Sequence, residues 1–224
     1  MHTPCVDLHA GTAQQAFALD ARRANGANMQ PSSPGRAILF ADIRGFTSYT
    51  RERGDEQAYR LAKAFTLLAE RCVEQHGGRV VKTLGDGIMA AFPRALDSVR
   101  CAKAAQEEVA RRNAEHPADA LTSGIGIAWG TPIEEDGDLF GSVVNLAQRL
   151  ADRARGGQIL VSPPVVERTS QEGIRYIHLG SHELKGLAHQ EVYELVWRDE
   201  VARITTNEGR VSLVLTQDAL VVEI

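Results

Sequence analysis

The sequence lacks the features that mark several common protein classes. Its three cysteines, Cys5, Cys72 and Cys101, are odd in number and widely spaced, which argues against a disulfide framework and against a CxxC zinc site. The formal net charge is only −4, so no broad basic face for nucleic acid is expected. The N-terminus has no long apolar stretch, so we expect no signal peptide, no membrane span and a reducing, cytoplasmic location.

The 224 residues are enough for one good-sized domain with short attachments. Residues 1–35 include a run of Pro, Ser and Gly and are predicted to be an N-terminal attachment or linker. Residues 36–198 alternate strand and helix patterns and are predicted to form the main domain. Residues 199–224 contain two strand-like runs, 211–215 and 220–224, and are predicted to be a β-rich extension to which the sequence assigns no role.

The pattern inside the main domain predicts a strand, a helix, a β-hairpin, a second helix and a strand, followed by another helix and late strands. Leu61, Phe65, Leu68 and Cys72 recur at helical spacing and mark the buried face of the first helix. An alternation of this kind with an internal hairpin indicates an α/β (α+β) fold. We expect helices on one face of a mainly antiparallel sheet.

The first chemical signal follows the opening strand. Asp42 stands where the apolar run 37–41 ends, and Gly45 follows three residues later. A strand end directs the carboxylate toward a cleft, and glycine lets the backbone approach a ligand. Free amides in such a turn can hold phosphate oxygens. The alternative is that Asp42 only begins a helix-capping turn before residues 47–50.

The second signal is Asp86, in the segment Lys-Thr-Leu-Gly-Asp-Gly at 82–87. Asp-Gly between two apolar strands is also an ordinary hairpin turn, so a structural role alone is a strong alternative. Strands close in sequence tend to be neighbours, which would bring Asp42 and Asp86 together. Two adjacent carboxylates repel each other unless a cation lies between them, and hard oxygen ligands suit Mg²⁺ or Mn²⁺.

The third signal lies in residues 138–149, where Asp138 precedes Phe140-Gly141 and a helical pattern follows. Asn145 and Arg149 are four residues apart and share one face of that helix. The alternative is an amphipathic helix with a solvated arginine and a capping aspartate.

Together the three segments resemble the class III adenylyl/guanylyl cyclase family over residues 36–198. The resemblance implies a ferredoxin-like βαββαβ core with an extra C-terminal helix and strands. It implies that Asp42 and Asp86, with Ile43, hold two Mg²⁺ or Mn²⁺ ions. In the family, residues matching Lys82 and Asp138 read the purine. Those matching Asn145 and Arg149 position the ribose and stabilise the transition state.

The resemblance also implies a composite site, with the metal ligands from one subunit of a homodimer and the other groups from its partner. Lys82 and Asp138 favour ATP, because their hydrogen-bond directions match adenine and oppose guanine; guanylyl members typically carry Glu and Cys there. Asp136 lies two residues before Asp138 and is the alternative for that position. The outer phosphates are expected to contact Lys185 and the amides of residues 43–47, Ile43, Arg44, Gly45, Phe46 and Thr47.

The expected activity is therefore an adenylate cyclase that converts ATP to 3′,5′-cyclic AMP for signal transduction, with fused or associated sensor or adaptor domains among its expected partners. Two alternatives are a catalytically quiet regulatory homologue that binds nucleotide and a guanylate cyclase. A diguanylate cyclase is disfavoured because its Gly-Gly-acidic-acidic-Phe signature is missing.

Overall fold

The structure is a computed structural model. It describes residues 34–198 in full, together with the backbone of residues 201–206, 209–215 and 220–223. The predicted attachment at 1–35 therefore lies almost entirely outside the described residues.

Twelve strands are described. The first nine are β1 (Arg36–Ile43), β2 (Arg79–Thr83), β3 (Gly87–Phe92), β4 (Ser123–Gly130), β5 (Ile133–Glu135), β6 (Asp138–Phe140), β7 (Ile159–Val161), β8 (Tyr176–His182) and β9 (Gln190–Leu195). The last three are β10 (Val201–Thr206), β11 (Gly209–Leu215) and β12 (Leu220–Glu223), which form a separate antiparallel sheet. Strands β11 and β12 confirm the two runs predicted near the C-terminus.

Five α-helices are described: α1 (Phe46–Arg53), α2 (Asp55–Gln75), α3 (Ala95–Glu115), α4 (Ser142–Arg153) and α5 (Pro163–Thr169). Short 3₁₀ turns cover Pro117–Asp119 and Ser170–Glu172. None of the described helices is long and apolar enough to cross a membrane.

The main sheet has seven strands in the order β2-β3-β1-β4-β7-β9-β8. All neighbours pair antiparallel except β4 and β7, which are parallel. The first four strands, with α2 and α3, form the expected βαββαβ core. The expectation of a mainly antiparallel α+β fold is confirmed.

Helices cover both faces of this sheet, which corrects the expectation that they lie on one. Leu39 of β1 belongs to the core formed with α2 and α3, whereas its neighbours Ile38 and Phe40 pack in a second core with α4. Strand side chains alternate between faces, so Asp42 projects to the side of α4.

Small residues on β4 make room for helix α4. Gly124, Gly126 and Ala128 alternate along the strand toward the helix, and Ala128 belongs to the second core. A Cβ atom at Gly126 would overlap backbone atoms of Ala147 and Ala151 in α4. The helix axis therefore lies closer to the sheet than a larger side chain would allow.

The acidic segment 134–138 lies in a second hairpin. Strands β5 and β6 pair directly, and the turn contains Asp136 and Gly137, whose φ angles are 50° and 80°. Two successive positive φ values are typical of the tight hairpin turn that Asp-Gly favours. The polar composition hid this hairpin, because neither strand shows apolar alternation of useful length.

Candidate active site

Asp42 occupies the end of β1 between two glycines. It is paired with Gly87 on β3 and with Gly124 on β4. A Cβ atom at Gly87 would approach the Ala41 carbonyl oxygen to 2.6 Å and the Asp42 Cβ to 2.9 Å. Strand β3 can therefore lie this close to Asp42 only because position 87 lacks a side chain.

The backbone brings Asp86 to the same end of β1. The Ile43 amide donates to the Asp86 carbonyl oxygen at 3.1 Å, and Leu84 N–H donates to the Gly87 carbonyl at 2.8 Å to close the turn. Sequence order suggests that direct pairing of β1 with β2 brings Asp42 and Asp86 together, but these two strands do not pair. The convergence comes from β3, which lies between them and carries the turn to β1.

The charge balance around Asp42 is unfavourable for an isolated carboxylate. Burial raises the pKa of Asp42 from 3.8 to about 6; Arg44 opposes the rise, and the carboxylates of Asp86 and Asp152 add to it. A divalent cation between Asp42 and Asp86 would offset the cost of burying the charge and the repulsion between the two carboxylates. The two carboxylates, with backbone oxygens such as that of Ile43, thus fit a hard divalent cation.

The described residues contain no cluster of three or more His, Cys, Asp or Glu side chains suited to a metal. A cation at this end of β1 would therefore have two protein carboxylates, and its remaining positions would fall to backbone oxygens, water or substrate oxygens. This partial coordination is the arrangement expected where a substrate completes the ligand set.

The side chain of Arg44 also belongs to the site, although the sequence predicts a role only for its backbone amide. Its Nη2 donates to Asp42 Oδ1 and, at 2.6 Å, to the Ala151 carbonyl oxygen. Its Nη1 donates to the Asp152 carbonyl oxygen at 3.1 Å. The guanidinium therefore bridges the Asp42 carboxylate and the last turn of α4. The only hint in the sequence is the two-residue spacing, which puts residues 42 and 44 on the same side of an extended chain.

The loop after Asp42 offers fewer free amides than expected. The Ile43 amide donates to Asp86, and the Arg44 amide donates to the Thr122 carbonyl at 2.8 Å. Helix α1 begins at Phe46 with Gly45 as its N-cap, and no side chain caps it. The amides available for phosphate oxygens are accordingly those of Gly45, Phe46 and Thr47 at the start of α1. The helix-capping alternative is correct about the helix and wrong about Asp42 as its cap.

Lys82 and Asp138 form a direct ion pair. Lys82 Nζ donates to Asp138 Oδ2 at 2.7 Å, and the Leu139 amide donates to the other carboxylate oxygen at 2.8 Å. The hydrogen bond from Lys82 and, to a smaller extent, that from the Leu139 amide lower the pKa of Asp138. Lys82 Nζ also lies 5.9 Å from the centre of the Phe140 ring. Asp136 sits in the exposed hairpin turn, so Asp138 is the aspartate that meets Lys82.

Asn145 and Arg149 lie on the outer side of α4. The helix buries its opposite side, which consists of Val143, Val144, Ala147, Leu150 and Ala151. Asn145 is exposed, and Arg149 is half-buried with its Nη1 donating to Asp152 Oδ2 at 2.8 Å. A strongly one-sided helix thus presents both polar groups outward.

The predicted site residues form separate groups within one chain. In the described part of the chain, no hydrogen bond or ion pair joins the Asp42 and Asp86 carboxylates to Lys82, Asp138, Asn145 or Arg149. Lys185 is exposed in the turn closed by the Leu187 amide and the Leu184 carbonyl at 2.9 Å. It makes no hydrogen bond or ion pair with any described residue.

The family model described as the adenylate and guanylate cyclase catalytic domain matches residues 30–196, well over half of the chain. The chain belongs to this family. The cyclase motifs, the ferredoxin-like core and the family match therefore agree over the same part of the sequence.

Two similar curated proteins carry adenylate cyclase names and are longer than this chain. The chain is 35% identical over 154 residues to "Putative adenylate cyclase 3" of Rhizobium meliloti, covering 67% of the chain and 26% of that protein. It is 37% identical over 131 residues to an "Adenylate cyclase" of Streptomyces coelicolor, covering 58% of the chain and 33% of that protein. The chain thus spans about a quarter to a third of these relatives.

A solved cyclase structure shares the fold. The chain resembles the crystal structure named adenylate/guanylate cyclase/hydrolase from Silicibacter pomeroyi with a TM-score of 0.66 and 33% identity. The likeness covers 72% of this chain and 96% of that one. Nearly the whole of a solved cyclase domain is therefore represented in residues of this chain.

Proposed function

We propose that this cyclase domain converts ATP to 3′,5′-cyclic AMP and pyrophosphate at sites shared between the two subunits of a homodimer. The observation that carries the choice of ATP is the Lys82–Asp138 pair, 2.7 Å between Nζ and Oδ2. The family match supports the reaction class, and the names of the curated relatives favour the adenylyl type.

Base choice follows from hydrogen-bond direction. Adenine offers a donor at N6 and an acceptor at N1, so Asp138 accepts from the first and Lys82 donates to the second. Guanine presents an acceptor at O6 and a donor at N1, which would leave both protein groups mismatched. Because the two side chains are 38% and 33% exposed, a base can reach them from solvent. The ion pair orients both side chains before the base arrives.

The reaction is an internal displacement at the α-phosphorus. The ribose 3′-hydroxyl releases its proton to water, and its oxygen forms a bond to the α-phosphorus. The bond from that phosphorus to the bridging oxygen breaks, and pyrophosphate leaves with the electron pair. Asp42 and Asp86, with the Ile43 carbonyl, would hold two Mg²⁺ or Mn²⁺ ions. Such ions activate the attacking oxygen and neutralise the leaving charge when bound.

The remaining groups orient the nucleotide. Asn145 positions the ribose, and Arg149 stabilises negative charge that develops at the α-phosphate. The amides of Gly45, Phe46 and Thr47 contact the outer phosphates at the start of α1, where the helix dipole favours anions. Lys185 supplies a further positive charge from its exposed turn. These roles are assigned by the family motifs and agree with the outward direction of α4.

A shared site explains why the groups are separated within one chain. Apolar side chains beside Lys82 and Asp138 are unusually exposed: Leu84 is 43%, Ile133 is 64% and Phe140 is 45% accessible. Ile133 and Phe140 are directly paired across β5 and β6. An apolar patch next to half of a site is typical of a surface that a second subunit covers.

The deciding experiment is turnover by the purified chain with ATP or GTP in the presence of Mg²⁺ or Mn²⁺. We expect cyclic AMP and pyrophosphate in equal amounts from ATP, and far less cyclic GMP from GTP. Preferential cyclic GMP production would identify a guanylate cyclase. Binding of nucleotide without product would identify a catalytically quiet regulatory homologue. A cytoplasmic location and attached sensor or adaptor parts remain predictions within this proposal.

A further inference from the structure

The guanidinium of Arg44 joins two parts of the site that the proposed mechanism treats separately. Its Nη2 donates both to Asp42, a proposed metal ligand, and to the Ala151 carbonyl, and its Nη1 donates to the Asp152 carbonyl. The contact with Asp152 spans 108 positions in the sequence. Helix α4, which ends at these carbonyls, also carries Asn145 and Arg149.

The contacts at α4 are those of a cap supplied from outside the helix. The last carbonyls of a helix lack partners within it and carry the negative end of the dipole. The Ala154 amide reaches the carbonyls of Leu150 and Ala151 at 3.0 Å. Within the described part of the chain, the Asp152 carbonyl accepts its hydrogen bond from Arg44 Nη1. A planar arginine fork suits this arrangement better than the single ammonium of lysine.

The Arg44 guanidinium lies against β4 of the main sheet. Gly124 lies beside it, and a Cβ atom there would overlap Arg44 Nε and approach the Ala154 carbonyl oxygen to 2.7 Å. Arg44 Nε is buried and has no hydrogen-bond partner among the described residues. The Arg44 side chain leaves Nε unpaired while Nη1 and Nη2 bind Asp42 and α4. The contacts of Nη1 and Nη2 therefore determine where the guanidinium lies.

We infer that Arg44 is a positioning residue with two effects: it competes with divalent cations for the Asp42 carboxylate, and it fixes the end of the helix that carries Asn145 and Arg149. The inference rests on the proposed function. In the proposed dimer these two effects fall on different sites, because α4 of one subunit serves the metal ligands of its partner. Arg44 thus links the two sites of the dimer through one side chain.

The first test measures Mn²⁺ binding by electron paramagnetic resonance in the absence of nucleotide. Removing a positive charge in contact with a metal ligand should lower the Mn²⁺ Kd of Arg44→Ala by about threefold to tenfold. Arg44→Lys keeps the charge, and its Kd should stay within about twofold of the wild type. Arg153→Ala is the matched control, since Arg153 ends the same helix but contacts His182 at 2.7 Å. An unchanged or weaker affinity in Arg44→Ala overturns the competition.

The second test is hydrogen exchange at the end of α4. Amides of residues 150–154 should exchange faster in both Arg44→Ala and Arg44→Lys, because each loses the fork, whereas Arg153→Ala should match the wild type. Amides of β1 and β3 serve as the internal reference for global stability. Equal protection of residues 150–154 in all four proteins overturns the helix effect. Neither binding nor exchange depends on turnover, so both report on Arg44 even if no cyclic nucleotide is formed.

The third test separates the two effects in mixed dimers. A mixture of Asp42→Ala chains and Arg149→Ala chains restores one site, whose metal ligands come from the second chain and whose α4 comes from the first. Arg44→Ala added to the Asp42→Ala chain should lower kcat by about tenfold with the metal dependence unchanged, since it acts only through α4. Added to the Arg149→Ala chain, it should shift the metal dependence toward lower concentrations. If the mixture is active and neither addition changes it, the inference is wrong while the proposed function stands.

Discussion

Lys82 and Asp138 lie 56 positions apart and meet through a 2.7 Å hydrogen bond between Nζ and Oδ2. One stands in β2 and the other opens β6, so the second hairpin packs beside the first to bring them together. The pair is oriented before any nucleotide binds.

Exchange of the base-reading pair should change nucleotide choice. In the double variant Lys82→Glu and Asp138→Cys, ATP turnover should fall by about 10- to 100-fold, because both adenine contacts become mismatched. Cyclic AMP and cyclic GMP are measured side by side at several nucleotide concentrations. Asp136→Cys is the control, since Asp136 occupies the hairpin turn and should leave ATP turnover unchanged. Undiminished cyclic AMP formation in the double variant would remove these residues from base recognition.

Inactive variants should complement each other. Asp42→Ala and Arg149→Ala should each lose at least about 100-fold in turnover, since each removes an electrostatic element of both sites. Random subunit exchange makes half of the dimers mixed, with one intact site of two, so the mixture should recover about a quarter of wild-type activity. Light scattering and a labelled chain confirm that subunits exchange. A mixture that exchanges and stays inactive contradicts the shared site.

The Asp42 carboxyl should make stability depend on pH. Its pKa is raised from 3.8 to about 6, so the folded state binds this proton more tightly than the unfolded chain. The folded state therefore loses stability as the pH rises from about 4 to about 6. Asp42→Asn stays neutral at every pH. Its free energy of unfolding should therefore rise relative to that of the wild type between about pH 4 and pH 6, and the difference should stay constant above pH 6. Urea unfolding in EDTA measures both proteins. An equal difference at pH 4 and pH 7 would contradict the shifted pKa.

Gly126→Ala should destabilise the domain without touching a proposed site residue. Its Cβ would overlap backbone atoms of α4, which cannot move aside as a flexible side chain can, so we expect a loss of about 1–3 kcal/mol in the free energy of unfolding. Gly130→Ala is the matched control on the same strand. Its Cβ would meet the Val143 side chain at 3.0 Å, which is tight but adjustable, so the loss should be smaller. Equal stability of the two variants would show that α4 can shift freely.

The sequence predicts the elements that carry a regular apolar pattern. The long helices α2 and α3, helix α4 and the first hairpin are present in the predicted order, because periodicity and Asp-Gly turns are local signals. Asp42 and Asp86 could be paired from the sequence, although the route through β3 could not. Pairing order depends on contacts between distant strands.

The sequence does not predict two features: the β5–β6 hairpin, whose local signal is only its Asp136-Gly137 turn, and the contacts of the Arg44 side chain. The β5–β6 hairpin is short and acidic, so its strands lack the alternation that marks a strand. Arg44 reaches carbonyls more than 100 positions away, and nothing near residue 44 indicates them. The glycines at 124 and 126 and the alanine at 128 were a visible hint that a helix packs on that face of β4, since small residues alternate there.

Asp42 and the two glycines paired with it are subject to different evolutionary constraints. Positions 87 and 124 are restricted by shape, because even a methyl group at either would strike a backbone carbonyl oxygen. Position 42 is restricted by charge, and its carboxylate weakens the fold that surrounds it. A library selected only for folded protein should accordingly retain both glycines and discard the aspartate. A library selected for cyclic nucleotide output should retain all three.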